Sequence, residues 1–119
     1  MSNFSKTDFF ESFIPKTEPV KIGEHTIYVR EVSALARGKF ESANEEADFN
    51  ATIRPRWVAM TACDEQGDLL FDDGDIEAIG QMPLSIVNAI FDAALRINGL
   101  GKEAQKSLGN GSETTQSDA

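Results

Sequence analysis

The sequence has 119 residues, is 40% hydrophobic and carries a formal net charge of -9 at pH 7, which fits one small globular domain. Its single cysteine excludes an internal disulfide, and no stretch approaches the roughly 20 apolar residues that a membrane-spanning helix needs. The first residues lack the apolar core of a signal peptide, so we expect a cytoplasmic protein with no membrane partner.

Residues 1–17 are predicted to form an N-terminal aromatic arm. Phe4, Phe9, Phe10, Phe13 and Ile14 suit a short amphipathic helix that ends at Pro15. Such a cluster either packs on the domain or binds a partner, and packing within the chain is the favoured interpretation.

Residues 18–100 are predicted to form a single α+β domain, in which an N-terminal β-hairpin precedes a predominantly helical region. The hairpin covers Glu18–Val32, with a tight turn at Gly23-Glu24-His25. Alternation along the strands separates an apolar face from a polar one. The apolar face contains Val20, Ile22, Ile27 and Val29.

A helix is predicted from an N-cap at Ser33 to about Asp48, with one apolar stripe at Ala36, Phe40, Ala43 and Ala47. Residues 53–63 fit either a helix with Pro55 in its first turn or a buried strand. The helix is the favoured interpretation of these residues. A short helix over Ile76–Gly80 is expected after the aspartates of residues 72–75.

The most apolar predicted helix runs from Leu84 to Asn98, follows Pro83 and is closed by Gly99. Its polar residues form one narrow stripe, in which Asp92 and Arg96 are expected to pair. A helix so apolar is either central in the fold or covered by a partner, and both alternatives remain open. Residues 101–119 are expected to form a flexible polar tail.

The negative charge is concentrated in one stretch. Between Trp57 and Leu95 there is no Lys or Arg, against eight acidic residues: Asp64, Glu65, Asp68, Asp72, Asp73, Asp75, Glu77 and Asp92. Such a field repels phosphate backbones, so we expect no nucleic-acid partner. The acids either keep the protein soluble, which we favour, or steer a basic partner.

We expect no catalytic, metal or cofactor site. The only histidine, His25, falls in the predicted hairpin turn, and Cys63 ends an apolar run as expected of a core thiol. The acidic stretch does not match a calcium loop, because aligning its glycines with that motif places Ala62 or Leu69 at the first ligand position.

The order of several segments carries a resemblance to a known family. A hairpin ending Val29-Arg30-Glu31-Val32 leads into a helix, and Trp57–Phe71 reads as a helix, a polar turn and Leu-Leu-Phe. Asp75–Gly80 and a long helix ending Ile97-Asn98-Gly99-Leu100 follow, and Gly101–Ser107 with a polar tail closes the chain. In this order the chain resembles the tail-assembly chaperones encoded by siphophages and related prophages, over roughly residues 18–110.

The resemblance implies a non-catalytic protein that binds the tape-measure protein and helps recruit subunits of the major tail (tube) protein. It also implies action in the cytoplasm of the bacterial host and absence from the mature virion. Many members have a short form and a longer frameshifted form, and this sequence would correspond to the short one. Homo-oligomerisation is left open.

The apolar segments supply the candidate partner-binding residues for such a function. These are Phe9, Phe10, Phe13, Ile86, Ile90, Phe91 and Leu95. Two other functions are alternatives: a structural tail or neck component of the virion, and a small acidic regulatory or inhibitor protein.

Overall fold

A three-stranded antiparallel sheet and five α-helices make up residues 4–100, the part of the chain that the computed structural model describes. The strands are β1 (Thr17–Ile22), β2 (His25–Arg30) and β3 (Ala62–Cys63). The helices are α1 (Lys6–Ser12), α2 (Ala34–Ser42), α3 (Ile53–Thr61), α4 (Ile76–Gly80) and α5 (Leu84–Ile97). Short 3-10 turns lie at Ala43–Glu45, Asn50–Thr52 and Asp73–Asp75. The α+β prediction is confirmed, while the predicted polar tail lies outside the described residues.

The hairpin has the predicted apolar face. Val20 and Val29 are buried, and Ile22 and Ile27 pack against the same core. The turn is one residue shorter than predicted, because His25 begins β2 opposite Ile22. Gly23 has a φ of 60°, a conformation that glycine adopts without steric cost.

Within residues 4–100, β1 is an outer strand of the sheet, whose order is β1-β2-β3. The N–H of Glu31 donates to the carbonyl of Lys16 at 3.0 Å, which places the ladder bonds on the even-numbered residues of β1. Pro19 therefore stands where an N–H would point out of the sheet. Proline is tolerated at such edge positions because no ladder bond is lost.

The segment that suited both a helix and a strand contains both. α3 is a helix up to Thr61, as favoured, and the next two residues form β3, where Ala62 pairs with Val29 and Cys63 with Tyr28. Pro55 lies in the first turn of α3, as predicted. The helix buries most of its circumference, and its buried residues are Pro55, Trp57, Val58, Ala59 and Thr61.

Helix α5 is central in the fold, which decides between the two alternatives for this apolar segment. It packs on α3 and on the inner face of the sheet, and Val87, Ile90, Ala93, Ala94 and Leu95 are buried. Gly99, at φ 76°, ends the helix as predicted, with the N–H of Leu100 bonded to the carbonyl of Leu95. None of the helices within residues 4–100 is long and apolar enough to cross a membrane.

The predicted Asp92–Arg96 pair on α5 is wrong. Arg96 pairs with Glu18 of β1 instead, and that hydrogen bond raises the pKa of the Arg96 guanidinium. Both side chains are partly open to solvent, so the pair contributes at most about 1 kcal/mol.

Helix α2 is shorter than predicted. Ser33 is its N-cap, accepting a bond from the N–H of Ala36 at 3.1 Å, but the helix ends at Ser42 rather than near Asp48. Beyond Ser42 the chain turns back, and Arg56 of α3 binds the carboxylates of Glu46 at 2.9 Å and Asp48 at 3.3 Å. A straight extension of α2 would not bring both carboxylates to one guanidinium.

Candidate functional site

The four candidate residues on α5 mostly serve the core. Ile90 and Leu95 are 2% and 7% exposed, and Ile86 and Phe91 are half-buried. The guanidinium of Arg54 lies 5.3 Å from the centroid of the Phe91 ring and covers that ring as a cation–π contact. This helix therefore offers little free apolar surface in the described conformation.

The candidate residues Phe9 and Phe10 on α1 and Phe13 just after it are brought together and exposed. A capping box between Ser5 and Asp8 begins the helix, and none of its residues is buried. The rings of Phe9, Phe10 and Phe13 meet edge to face, with centroids 5.5 Å and 5.2 Å from Phe9. The expected packing of this arm on the domain is wrong, because the three rings are 49–68% exposed.

A groove that the sequence did not predict lies between α2 and the segment 69–77. It encloses about 950 Å³, and one face of α3 forms its floor. Its apolar lining comes from Leu35, Ala36, Phe40, Ala43, Ala59, Met60, Leu69, Phe71 and Ile76. Leu35 and Leu69 are 70% and 42% exposed, so the groove is open to solvent along both walls. Exposed apolar surface of this kind marks binding sites.

The groove exists because α2 contacts the rest of the domain through aromatic rings and is not closely packed along its length. The ring of Phe40 lies 5.6 Å from that of Trp57 and 5.1 Å from that of Phe49, while no residue of α2 is buried. Of the predicted apolar stripe, Ala36 and Phe40 on α2 and Ala43 just after it line the groove, whereas Ala47 does not. That stripe was the signal from which the groove could have been found.

The rims of the groove are charged unequally. The wall formed by the segment 69–77 contains Asp72, Asp73 and Glu77 and no basic residue. On the α2 side, the carboxylates of Glu46 and Asp48 are neutralised in part by Arg56, whose side chain is only 14% exposed. One wall is thus distinctly negative while the other is mixed.

Several acids of the Trp57–Leu95 stretch have a structural role. Asp64 accepts bonds from the N–H groups of Gln66 and Asp68, both at 2.9 Å. Asp72 accepts from Gly74, and Asp75 accepts from the N–H of Asp72. These bonds fix the polar turn and the entry to α4. Among the other acids of this stretch, Asp73 and Glu77 line the groove and form no ion pair within residues 4–100.

The two side chains considered for catalysis or metal binding differ in their exposure to solvent. His25 is exposed at the start of β2, whereas Cys63 is fully buried. Burial raises the pKa of the Cys63 thiol, Arg30 opposes that effect, and Asp64 and Asp68 add to it. Within residues 4–100 no group of three or more His, Cys, Asp or Glu side chains is arranged to hold a metal ion.

Comparisons with known proteins give one informative likeness. No protein-family model matches the chain, and no curated protein matches it. Among solved structures, the chain is similar to the tail assembly chaperone of bacteriophage HK97, with a TM-score of 0.57 and 16% sequence identity. The likeness covers 70% of this chain and 85% of that one. The chain thus has a phage tail assembly chaperone fold, as the sequence resemblance implied.

Proposed function

We propose that this protein is a phage tail assembly chaperone. It binds the tape-measure protein, keeps the apolar surface of that protein from aggregating, and helps recruit subunits of the major tail protein. It acts without catalysis in the cytoplasm of the bacterial host and is absent from the mature virion.

The observation that carries the proposal is the shared fold over most of both chains. Two surfaces of the described residues suit the role, since a chaperone of this kind needs exposed apolar surface. One is the aromatic arm, and the other is the groove between α2 and the segment 69–77. The acidic character of the molecule supports solubility while such surface is exposed.

Coexpression tests the proposal directly. The tape-measure protein of the same phage is produced alone and together with the tagged chain, and its soluble fraction is measured in both cases. We expect the soluble fraction to rise on coexpression and the two proteins to copurify. An unchanged soluble fraction, with no copurification, would contradict the proposal.

Purified virions separate the chaperone from a structural tail or neck component. Quantitative mass spectrometry of particles should detect the tail-tube protein and not this chain. A fixed number of copies per particle would support the structural component instead.

A further inference from the structure

We propose that the groove between α2 and the segment 69–77 binds an amphipathic helix of the partner, whose apolar stripe is flanked by Lys or Arg on the side of Asp73 and Glu77. The inference rests on the proposed function, in which the tape-measure protein supplies that helix. It adds the place of binding and the charge pattern that is recognised.

The two helices that build the groove present regular faces to it. The lining residues of α2 are Leu35, Ala36, Lys39 and Phe40, and Ala43 follows just after the helix. From Ala36 onward these residues are spaced by three and four positions. The lining residues contributed by α3 and the turn before it are Thr52, Arg56, Ala59 and Met60, with the same spacing. A third helix packs into such a trough by inserting its own stripe of apolar side chains at positions i, i+3 or i+4, and i+7.

The openness of the groove favours a polymer over a small molecule. Small-ligand sites of a few hundred to about 1,000 Å³ enclose most of the ligand surface. Here Leu35 on one wall is 70% exposed and Leu69 on the other is 42% exposed, so a small ligand would remain in contact with water. A helix covers both leucines at once and removes their apolar surface from water.

The charge of the groove determines which residues should border the apolar stripe of the bound helix. Asp73 and Glu77 stand beside Leu69 and Phe71 in the lining, and neither forms an ion pair within residues 4–100. Because no Lys or Arg occurs between Trp57 and Leu95, this wall has no counter-charge from its own segment. Lysine or arginine on the occupant supplies it, while an acidic helix is repelled.

The N-terminal arm of a second copy fits this pattern less well. Residues 4–16 contain two basic residues, Lys6 and Lys16, and two acidic ones, Asp8 and Glu11, so the arm has no net positive charge to complement the wall. The partner helix is therefore the occupant that the charges favour.

The test compares exposed substitutions inside and outside the groove, using coexpression with the tape-measure protein of the same phage. Leu35→Asp and Leu69→Asp should each lower the copurified tape-measure protein by about tenfold or more, because each removes an apolar contact and would bury an unpaired carboxylate against the bound helix. Leu84→Asp is the matched control, since Leu84 is 64% exposed but lies outside the groove. Thermal unfolding of each variant confirms that it is folded.

Charge reversal tests the second half of the inference. The double variant Asp73→Lys/Glu77→Lys should weaken copurification, and the loss should be larger at low ionic strength. The double variant Glu24→Lys/Glu65→Lys makes the same change in net charge at two exposed sites away from the groove, and should bind like the wild type. A photo-crosslinking residue at position 35 should label a helical segment with basic flanks.

The outcomes separate this inference from the proposed function. If the wild-type chain solubilises the tape-measure protein and the groove variants do so equally well, the inference is overturned and the function stands. If Leu35→Asp instead dissolves a homo-oligomer and leaves the copurified amount unchanged, a second copy occupies the groove and the inference fails. If the wild-type chain has no effect on the tape-measure protein, both fail together.

Discussion

The side-chain carbonyl of Asn98 accepts a 2.8 Å hydrogen bond from the backbone N–H of Val32, joining the end of α5 to the end of the hairpin across 66 residues of sequence. The amide of the same side chain donates to the carbonyl of Ala94 at 2.8 Å and to that of Arg30 at 3.4 Å. One side chain thereby binds backbone groups of two elements, and it supplies partners to the N–H of Val32 and the carbonyl of Arg30 at the end of the hairpin.

Asn98→Ala should therefore lower the free energy of unfolding by about 1–3 kcal/mol, because it leaves part-buried backbone groups without partners. Denaturation with urea measures the change. Asn44→Ala, at an exposed position, is the matched control and should stay within about 0.5 kcal/mol of the wild type. Equal midpoints for the two variants would show that the bond to Val32 contributes nothing.

Two glycine-to-alanine substitutions should change stability in opposite directions. Gly99 has a φ of 76°, so an alanine there is strained and should cost about 1–2 kcal/mol. Gly38 lies inside α2, and an added Cβ would meet no atom within 4 Å, so alanine should stabilise by about 0.5–1 kcal/mol. Thermal unfolding of the two variants is the measurement, and shifts of the same sign would contradict it.

The Cys63 thiol should make stability depend on pH above neutrality. Its pKa is raised in the folded protein above the ordinary value of 9.0, so the folded state holds the proton more tightly than the unfolded chain. This contribution to stability is fully present below the unfolded pKa and is lost as the pH rises through the folded one. The free energy of unfolding should fall more steeply above about pH 9 in the wild type than in Cys63→Ala.

Thiol labelling gives an independent check on Cys63. Ellman's reagent should react slowly with the native protein and rapidly in urea, because the side chain is fully buried. Rapid labelling of the native protein would contradict both the burial and the alkaline pH dependence.

The aromatic arm should affect binding and not folding. Replacing Phe9, Phe10 and Phe13 together by Ser should change the free energy of unfolding by no more than about 0.5 kcal/mol, since none of the three is buried. By contrast, Ile90→Ala should cost about 2–5 kcal/mol, because Ile90 is 2% exposed in the core. Tape-measure copurification should fall in the triple variant. A triple variant as unstable as Ile90→Ala would show that the arm is packed in solution.

The fold was largely predictable because its elements carry local signals. Alternation fixed the hairpin face, Ser33 and Gly99 marked helix ends, and Pro55 marked a first turn. Residues 53–63 resisted assignment for a physical reason. Residues 57–63 are nearly all buried and have no polar face, so their periodicity does not distinguish helix from strand. The pairing of Ala62 and Cys63 with β2 is a tertiary contact that no local pattern shows.

The groove was not predictable in the same way. The sequence indicated α5 as a partner-binding helix because it is the most apolar one. The sheet and α3, however, bury most of its apolar surface. What remains exposed depends on how far α2 stands from its neighbours. That distance is set by Phe40, Trp57 and the turn held by Arg56, which are tertiary contacts rather than a local pattern. The seven candidate contact residues stay a prediction.

Pro19 has a consequence for the behaviour of the chain at high concentration. An exposed strand with an unbroken row of amide hydrogens is a template on which a strand of another molecule can pair and grow into a fibril. A ring nitrogen in the middle of that row interrupts the template. Within residues 4–100, strand-to-strand association through the outer side of β1 is thereby disfavoured.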